Sequence, residues 1–342
     1  MASRLIYSRE EILSEHVYAR PHEEAGYRLH GGFLIDGTYA SPRTLVRKRA
    51  VAAWTEALKA RREPLIDVSS GILLEEIFPN LAQSRLLLKL GLDRTFWRSL
   101  TNVGLMEARA GTLCKVIAPD FQPLIEEDIS GTVAGHLNKG LLWAHGVDEA
   151  GDPNAPHGPG AHNAAWFAVR DMVFAKGLHV APVVPHDLIG RGRVPTHEMP
   201  QIPLDCEVFL KFLMGVLVVE VRAYVFFDLA RSLFRDPELF PDRRDQAERA
   251  ADLVDRIRQD EQIHVDYLQT LISELRQLTF KTREGPTSGA SIIDPVWDRI
   301  RGVNRPQRRE AVSETILSEM LERMELGKAR TLVDQFEALG PG

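Results

Sequence analysis

Between Asp260 and Leu268 the chain reads DEQIHVDYL, with Glu261 and His264 three residues apart. On a helix that spacing puts both on one face, about a turn apart. Leu253, Ile257 and Leu268 lie on or near that face, so a carboxylate and an imidazole point toward a core. Burying either alone is unfavourable. A cation relieves the burden, because Glu oxygen and His nitrogen both suit iron, manganese and zinc. The motif also fits an ordinary solvated face, so its meaning depends on the rest of the chain. One helix earlier, GVLVVEVRAYVFF places Glu220 inside a run of Val, Leu and Phe. No surface face includes Glu220 without exposing Val216 or Val219, and a core Glu needs an Arg, a neutralising proton or a metal. Glu220 followed by Glu261-x-x-His264 is the helix pair used in carboxylate-bridged bundles.

Such bundles use the unit twice, and an echo lies upstream. NVGLMEARAGTLC, residues 102–114, repeats the Glu-x-Arg-Ala of VVEVRA, so that Glu107 matches Glu220 and Arg109 matches Arg222. GTVAGHLNKGLL, residues 131–142, then places His136 where His264 stands, with Val133 at the position of Glu261. The candidate ligands are Glu107, His136, Glu220, Glu261 and His264, one bridging carboxylate short of a doubled unit. Glu127, Asp128, His162 and Asp171 are the nearby groups that could substitute.

DEQIHVDYLQTLISEL resembles the fourth-helix motif of bacterioferritins, and the E…ExxH pairing resembles the ferritin-like superfamily, including rubrerythrins and the di-iron N-oxygenases and hydroxylases. The likeness covers about 94–146 and 206–280. It implies an all-α, ferritin-like four-helix bundle around a non-haem metal centre, usually two irons, with manganese or a mixed pair as variants. By the same likeness Glu107 and Glu220 are terminal ligands, His136 and His264 the imidazole ligands, and Glu261 a bridge. Val133 leaves the second bridge unassigned. The function implied is an oxidoreductase, an oxygenase or oxidase that activates dioxygen on a small or lipidic organic substrate and draws on an electron donor. The competing readings are a non-catalytic helical protein with a vestigial site, for which Val133 speaks, and a mononuclear metal enzyme.

Neighbouring residues acquire roles from this centre. Asp260 would orient a ligand histidine or else face solvent. Arg109 and Arg222 point away from the Glu two residues before them and would pair with acids such as Asp260 or Asp128. Tyr224, one turn after Glu220, and Tyr267, three after His264, could carry protons or electrons, or simply pack. Tyr224 corresponds to Gly111, and Gly131, Gly135 and Gly140 surround His136. Each helical Gly is unfavourable by about 1 kcal/mol against Ala, so the cluster implies either close packing or room for a substrate.

The elements that must hold these residues are helices, read at about 42–60, 70–90, 94–117, 122–146, 162–177, 206–235, 243–280 and 308–338. They divide the chain into an N-terminal helical extension (1–92), a metal-binding bundle with inserted loops 146–205 (93–282), and an added C-terminal helix (283–342). The last helix packs on the bundle or makes a homodimer contact. The Pro-rich stretch 179–205, with His179 and His186, is a candidate lid. The 342 residues carry a formal charge of −6, without the basic stripe expected of a nucleic-acid binder. Lys211, Glu220, Arg222 and Asp228 interrupt the longest apolar run, which argues for a buried helix over a membrane span. Two cysteines, Cys114 and Cys206, no CxxC and a charged first segment fit a cytoplasmic protein without a signal peptide.

Overall fold

The two runs that carry Glu220 and Glu261 fold as the longest helices of the chain and pack against each other. In the computed structural model, which describes residues 4–61, 64–69, 77–180, 197–301 and 307–340, the helices are α1 (Arg9–Ile12), α2 (Thr44–Lys59), α3 (Leu81–Lys89), α4 (Arg94–Ala110), α5 (Leu142–Ala150), α6 (His162–Val173), α7 (Leu204–Arg235), α8 (Arg244–Gln277), α9 (Gly289–Arg301), α10 (Gln307–Arg323) and α11 (Leu326–Ala338). Strands are confined to three two-stranded antiparallel hairpins: β1 (His22–Glu24) with β2 (Tyr27–Leu29), β3 (Gly32–Phe33) with β4 (Tyr39–Ala40), and β5 (Thr279–Thr282) with β6 (Gly285–Ser288). The expectation of a mostly helical protein holds. No helix among the described residues is long and apolar enough to cross a membrane.

The reasons for the helices are local. α7 is apolar on most of its surface, and its acids Asp205 and Glu207 sit in the first turn while Arg235 sits in the last, as the helix dipole favours. α3 begins at a reciprocal cap, in which Asn80 accepts from the Gln83 N–H and the Gln83 side chain accepts from the Asn80 N–H. α4 lies so close to α6 that a Cβ on Gly104 would come within 2.8 Å of the Phe167 ring.

Two apolar clusters make up most of the core, and the boundary between them positions the site. One joins the first half of α7 to the second half of α8, with α2, α9 and residues 113–142 around them. The other joins the second half of α7 to the first half of α8, with α4 and α6. Glu220, Glu261 and His264 fall where one cluster gives way to the other. A third, small cluster ties α3 to α10 and α11.

Several expected elements differ. The helix read over 122–146 does not exist as one element. Residues 111–141 pass through short 3₁₀ turns and a wide turn at 137–141, and a regular helix begins only at Leu142. Gly140, at φ +111°, takes a conformation a helix cannot hold. The final helix is two, α10 and α11, broken at Met324 and Glu325. The N-terminal extension is not purely helical, since it carries β1 to β4. The third hairpin and α9 follow α8 where no element was expected.

Candidate metal centre

α8 turns Asp260, Glu261, His264 and Tyr267 toward the interior, all at most 4% exposed. α7 faces them with Glu220, and α4 brings Glu107. The remaining donors come from two shorter helices. α5 supplies His145 and Glu149, which the i, i+4 spacing sets on one face, and α6 supplies His162 from its first turn.

These seven side chains form two groups that share Glu149. Glu107, Glu149, His162 and Glu261 make one; His145, Glu149, Glu220 and His264 make the other, and in each the ligand atoms lie within 4.8 Å of one another. Glu261 reaches toward both, with one oxygen 2.9 Å from His162 Nδ1 and the other 2.8 Å from His264 Nδ1. Glu149 Oε1 stands 2.9 Å from His264 Nδ1 and 3.6 Å from both His162 Nδ1 and His145 Nε2. His145 Nε2 is 3.2 Å from Glu220 Oε1, and its ring stacks on that of His264 at 3.8 Å between centroids.

Each imidazole is fixed through its other nitrogen. His264 Nε2 donates to Asp148 at 3.4 Å, His162 Nε2 donates to Asp260 at 3.2 Å, and His145 Nδ1 meets the Tyr267 hydroxyl at 2.8 Å. Outer partners of this kind fix the tautomer and the ring direction of a metal-binding histidine.

Electrostatics show what the cluster lacks. Burial raises the Glu107 carboxyl well above its usual range, and Glu149 raises it further. Burial does the same to Glu220, with Glu261 and Glu149 adding to it. Burial would also raise Glu149, but hydrogen bonding from Glu107 and the pull of His162 hold it well below. Against burial, Glu261 and Glu149 drive His162 up, and Glu261 and Asp148 drive His264 up. His145 is pushed down to about 3, by burial first and by His264 next. Protons on His162, His264, Glu107 and Glu220 thus carry the positive charge that four clustered carboxylates demand. Even so, both oxygens of Glu149, one of Glu261 and His162 Nδ1 are buried and crowd one another without well-aligned hydrogen bonds. Buried polar atoms are seldom left so. Four carboxylates and three neutral imidazoles carry a formal −4, the charge that two divalent cations cancel. The donor set therefore fits a pair of cations.

Of the expected ligands, Glu107, Glu220, Glu261 and His264 come together and His136 does not. His136 is fully buried elsewhere. Its Nδ1 donates to the Thr132 carbonyl at 2.7 Å, its Nε2 accepts from the Tyr7 N–H at 3.0 Å, and it packs on Trp54 at 4.6 Å between rings. Val133 marks no missing bridge: it is a core residue whose N–H donates to Glu274, and Glu149 is the carboxylate shared by both groups. Of the proposed substitutes only His162 is at the centre. Glu127 accepts from Thr279, Asp128 from Ser130, and Asp171 from Tyr27. Asp260 does contact a ligand histidine, though one on α6. Tyr267 reaches His145, whereas the Tyr224 hydroxyl bonds the Arg258 carbonyl and Gln262 along α8. Arg109 and Arg222 lie half-buried on α4 and α7. His179 pairs with Asp93 at 2.9 Å, and His186, with most of the candidate lid, lies outside the described residues.

The glycines mark close packing, not space. A Cβ on Gly111 would lie 2.5 Å from that of Ala150, on Gly135 2.2 Å from the Ile129 carbonyl oxygen, and on Gly140 3.0 Å from Leu13. Replacing any of them with a larger residue would disturb the packing, so they do not outline a substrate chamber.

The missed donors carried a readable signal, His145 and Glu149 four apart in LLWAHGVDEAG. A single helix over 122–146 would set His136 inward and end before Glu149, which masks the pair. Comparison with protein-family models, with curated proteins and with solved structures finds no match to this chain.

Proposed function

We propose that this protein is a ferritin-like, non-haem di-iron oxidoreductase that activates dioxygen on a small or lipidic organic substrate. The observation that carries the reading is the donor set: four carboxylates and three imidazoles from five helices, in two groups joined at Glu149, with buried ligand atoms that crowd one another without well-aligned hydrogen bonds. Mixed carboxylate and imidazole donors suit iron, with manganese the nearest alternative. A bound pair of irons would supply the binding and reduction of dioxygen.

The residues of the chain do the rest. Glu107, Glu149, His162 and Glu261 would hold one metal, and His145, Glu149, Glu220 and His264 the other. Tyr267, Asp148 and Asp260 keep the three rings aimed inward. Apolar clusters on both sides exclude bulk water. All seven donor groups are buried, so the site is closed on the Glu107 side as on the others. On the opposite side of His162 a cavity of about 10 Å³, lined by His30, Tyr39 and Asp260, has room for one water-sized molecule.

Elemental analysis of the purified protein tests this reading together with dioxygen uptake under a chemical reductant. Two irons per chain are expected in the parent, with sharply reduced content and uptake in Glu149→Ala and Glu261→Ala. A parent that takes up neither iron nor manganese would remove the proposal.

A further inference from the structure

Neither of the two acids behind the ligand histidines is held by the ligand-bearing helices alone. Asp148, 1% exposed, lies between two guanidinium groups of α2. Arg47 Nη2 pairs with Asp148 Oδ2, the oxygen that His264 Nε2 approaches, and Arg43 Nη2 reaches Oδ1 at 3.3 Å. Arg47 is itself locked, buried at 2% exposure with its Nε donating to the Arg43 carbonyl. Asp260 has a different support. The Tyr39 hydroxyl on β4 donates to Asp260 Oδ2 at 3.1 Å, the oxygen that also accepts from His162 Nε2. Gly31, at φ +127°, makes way for this tyrosine, since a Cβ there would lie 2.6 Å from its ring.

We propose that the N-terminal segment sets the two metal positions separately: Arg43 and Arg47 position His264 through Asp148, and Tyr39 positions His162 through Asp260. The inference rests on the di-metal reading of the same site. It gives the positions different characters. The charge of Asp148 is already met by two cations, so it steers His264 without adding much negative charge to the ring. Asp260 accepts from the Tyr39 hydroxyl with His30 nearby and has no guanidinium pair among the described residues, so it leaves more charge for His162, which becomes the stronger donor. The position with one imidazole and three carboxylates is therefore the more anionic, and the one with two imidazoles the more neutral. Arg43, Arg47 and Tyr39 are positioning residues: they touch the acids, not the metal.

Titration of the metal-free full chain with cobalt(II), read by visible absorbance and elemental analysis, tests this. The parent should load in two steps. Glu107→Ala and His145→Ala, each removing a donor unique to one position, assign the steps. Arg47→Met should weaken the His145/His264 step by about ten- to a hundredfold and shift its cobalt bands, with the other step within about threefold. Tyr39→Phe should do the reverse, and Arg47→Lys should restore the parent bands. If Arg47→Met does not fold, as judged by circular dichroism, Arg43→Met is read in its place for the same selective loss. Equal weakening of both steps in either variant, or no change in either, overturns the inference while leaving the di-metal reading intact. Failure of the parent to bind cobalt at all would overturn both.

Discussion

Glu149 belongs to both donor groups, and under the proposed function both metal positions depend on it. Glu149→Ala should leave the chain nearly metal-free, whereas Glu107→Ala should retain close to one metal per chain. Elemental analysis of the two variants side by side separates a shared bridge from a terminal ligand. His136 offers the opposite control. Its replacement by Ala removes a buried ring that packs on Trp54 and strands the Tyr7 N–H and Thr132 carbonyl. It should destabilise the protein by about 2–4 kcal/mol in urea unfolding, with metal stoichiometry unchanged. At this scale the sequence was legible where a charged side chain interrupted an apolar run. Glu107 and Glu220 stood out in that way, and Glu261 and His264 by their spacing. His145 and Glu149, four apart at the end of LLWA, are hidden when 122–146 is read as one helix that ends between them. Asp148 and Arg47 belong to parts of the chain 101 residues apart, and no local pattern links them.

Among the elements, the segment that precedes α5 decides which histidine joins the donor cluster. A regular helix over 122–146 would have carried His136 inward as the counterpart of His264. Instead the close approach at Gly135 and the positive φ at Gly140 break the period, and α5 starts afresh at Leu142 with His145 and Glu149 on its inner face. Gly135→Ala puts a methyl against the Ile129 carbonyl oxygen, where the Cβ distance would be 2.2 Å. It should destabilise by about 2–3 kcal/mol and lower metal retention along with the melting temperature. A variant as stable as the parent by calorimetry would show that the turn can shift. The long helices α7 and α8 were legible almost to their ends, because period and length agree over many turns. The turns of 111–141 were not, since their apolar content matches that of a helix and only backbone angles tell them apart.

At the level of the whole molecule, the di-metal reading has metal and protons competing for the same interior. The raised values of His162, His264, Glu107 and Glu220 favour their protonated forms, and in the di-metal reading a bound metal would displace those protons. Affinity should therefore rise with pH, and calorimetry in buffers of different ionisation enthalpy should register net proton release on binding. The sign for stability follows from the same shifts. His162 and His264, raised on folding, stabilise the metal-free protein fully below about pH 6.5, and that contribution fades as pH climbs through their raised values. Metal replaces it: at a thousand times its dissociation constant a bound ion adds about 4 kcal/mol. Melting curves at neutral and alkaline pH, with and without metal, should diverge as pH rises. Parallel curves would count against protons standing in for cations.

The donors run from Glu107 to His264, so they bracket nearly half the chain. Any ion seated on them ties together segments that the backbone joins only through long excursions. It acts as a reversible cross-link, comparable in kind to a disulfide that closes a loop of more than a hundred residues, where chain entropy alone is worth about 5 kcal/mol. A disulfide needs an oxidising compartment, and this cross-link does not. Under the proposed function its consequence would be kinetic: a loaded chain would have to release its ions before α4 to α8 could part, so a chelator should speed unfolding.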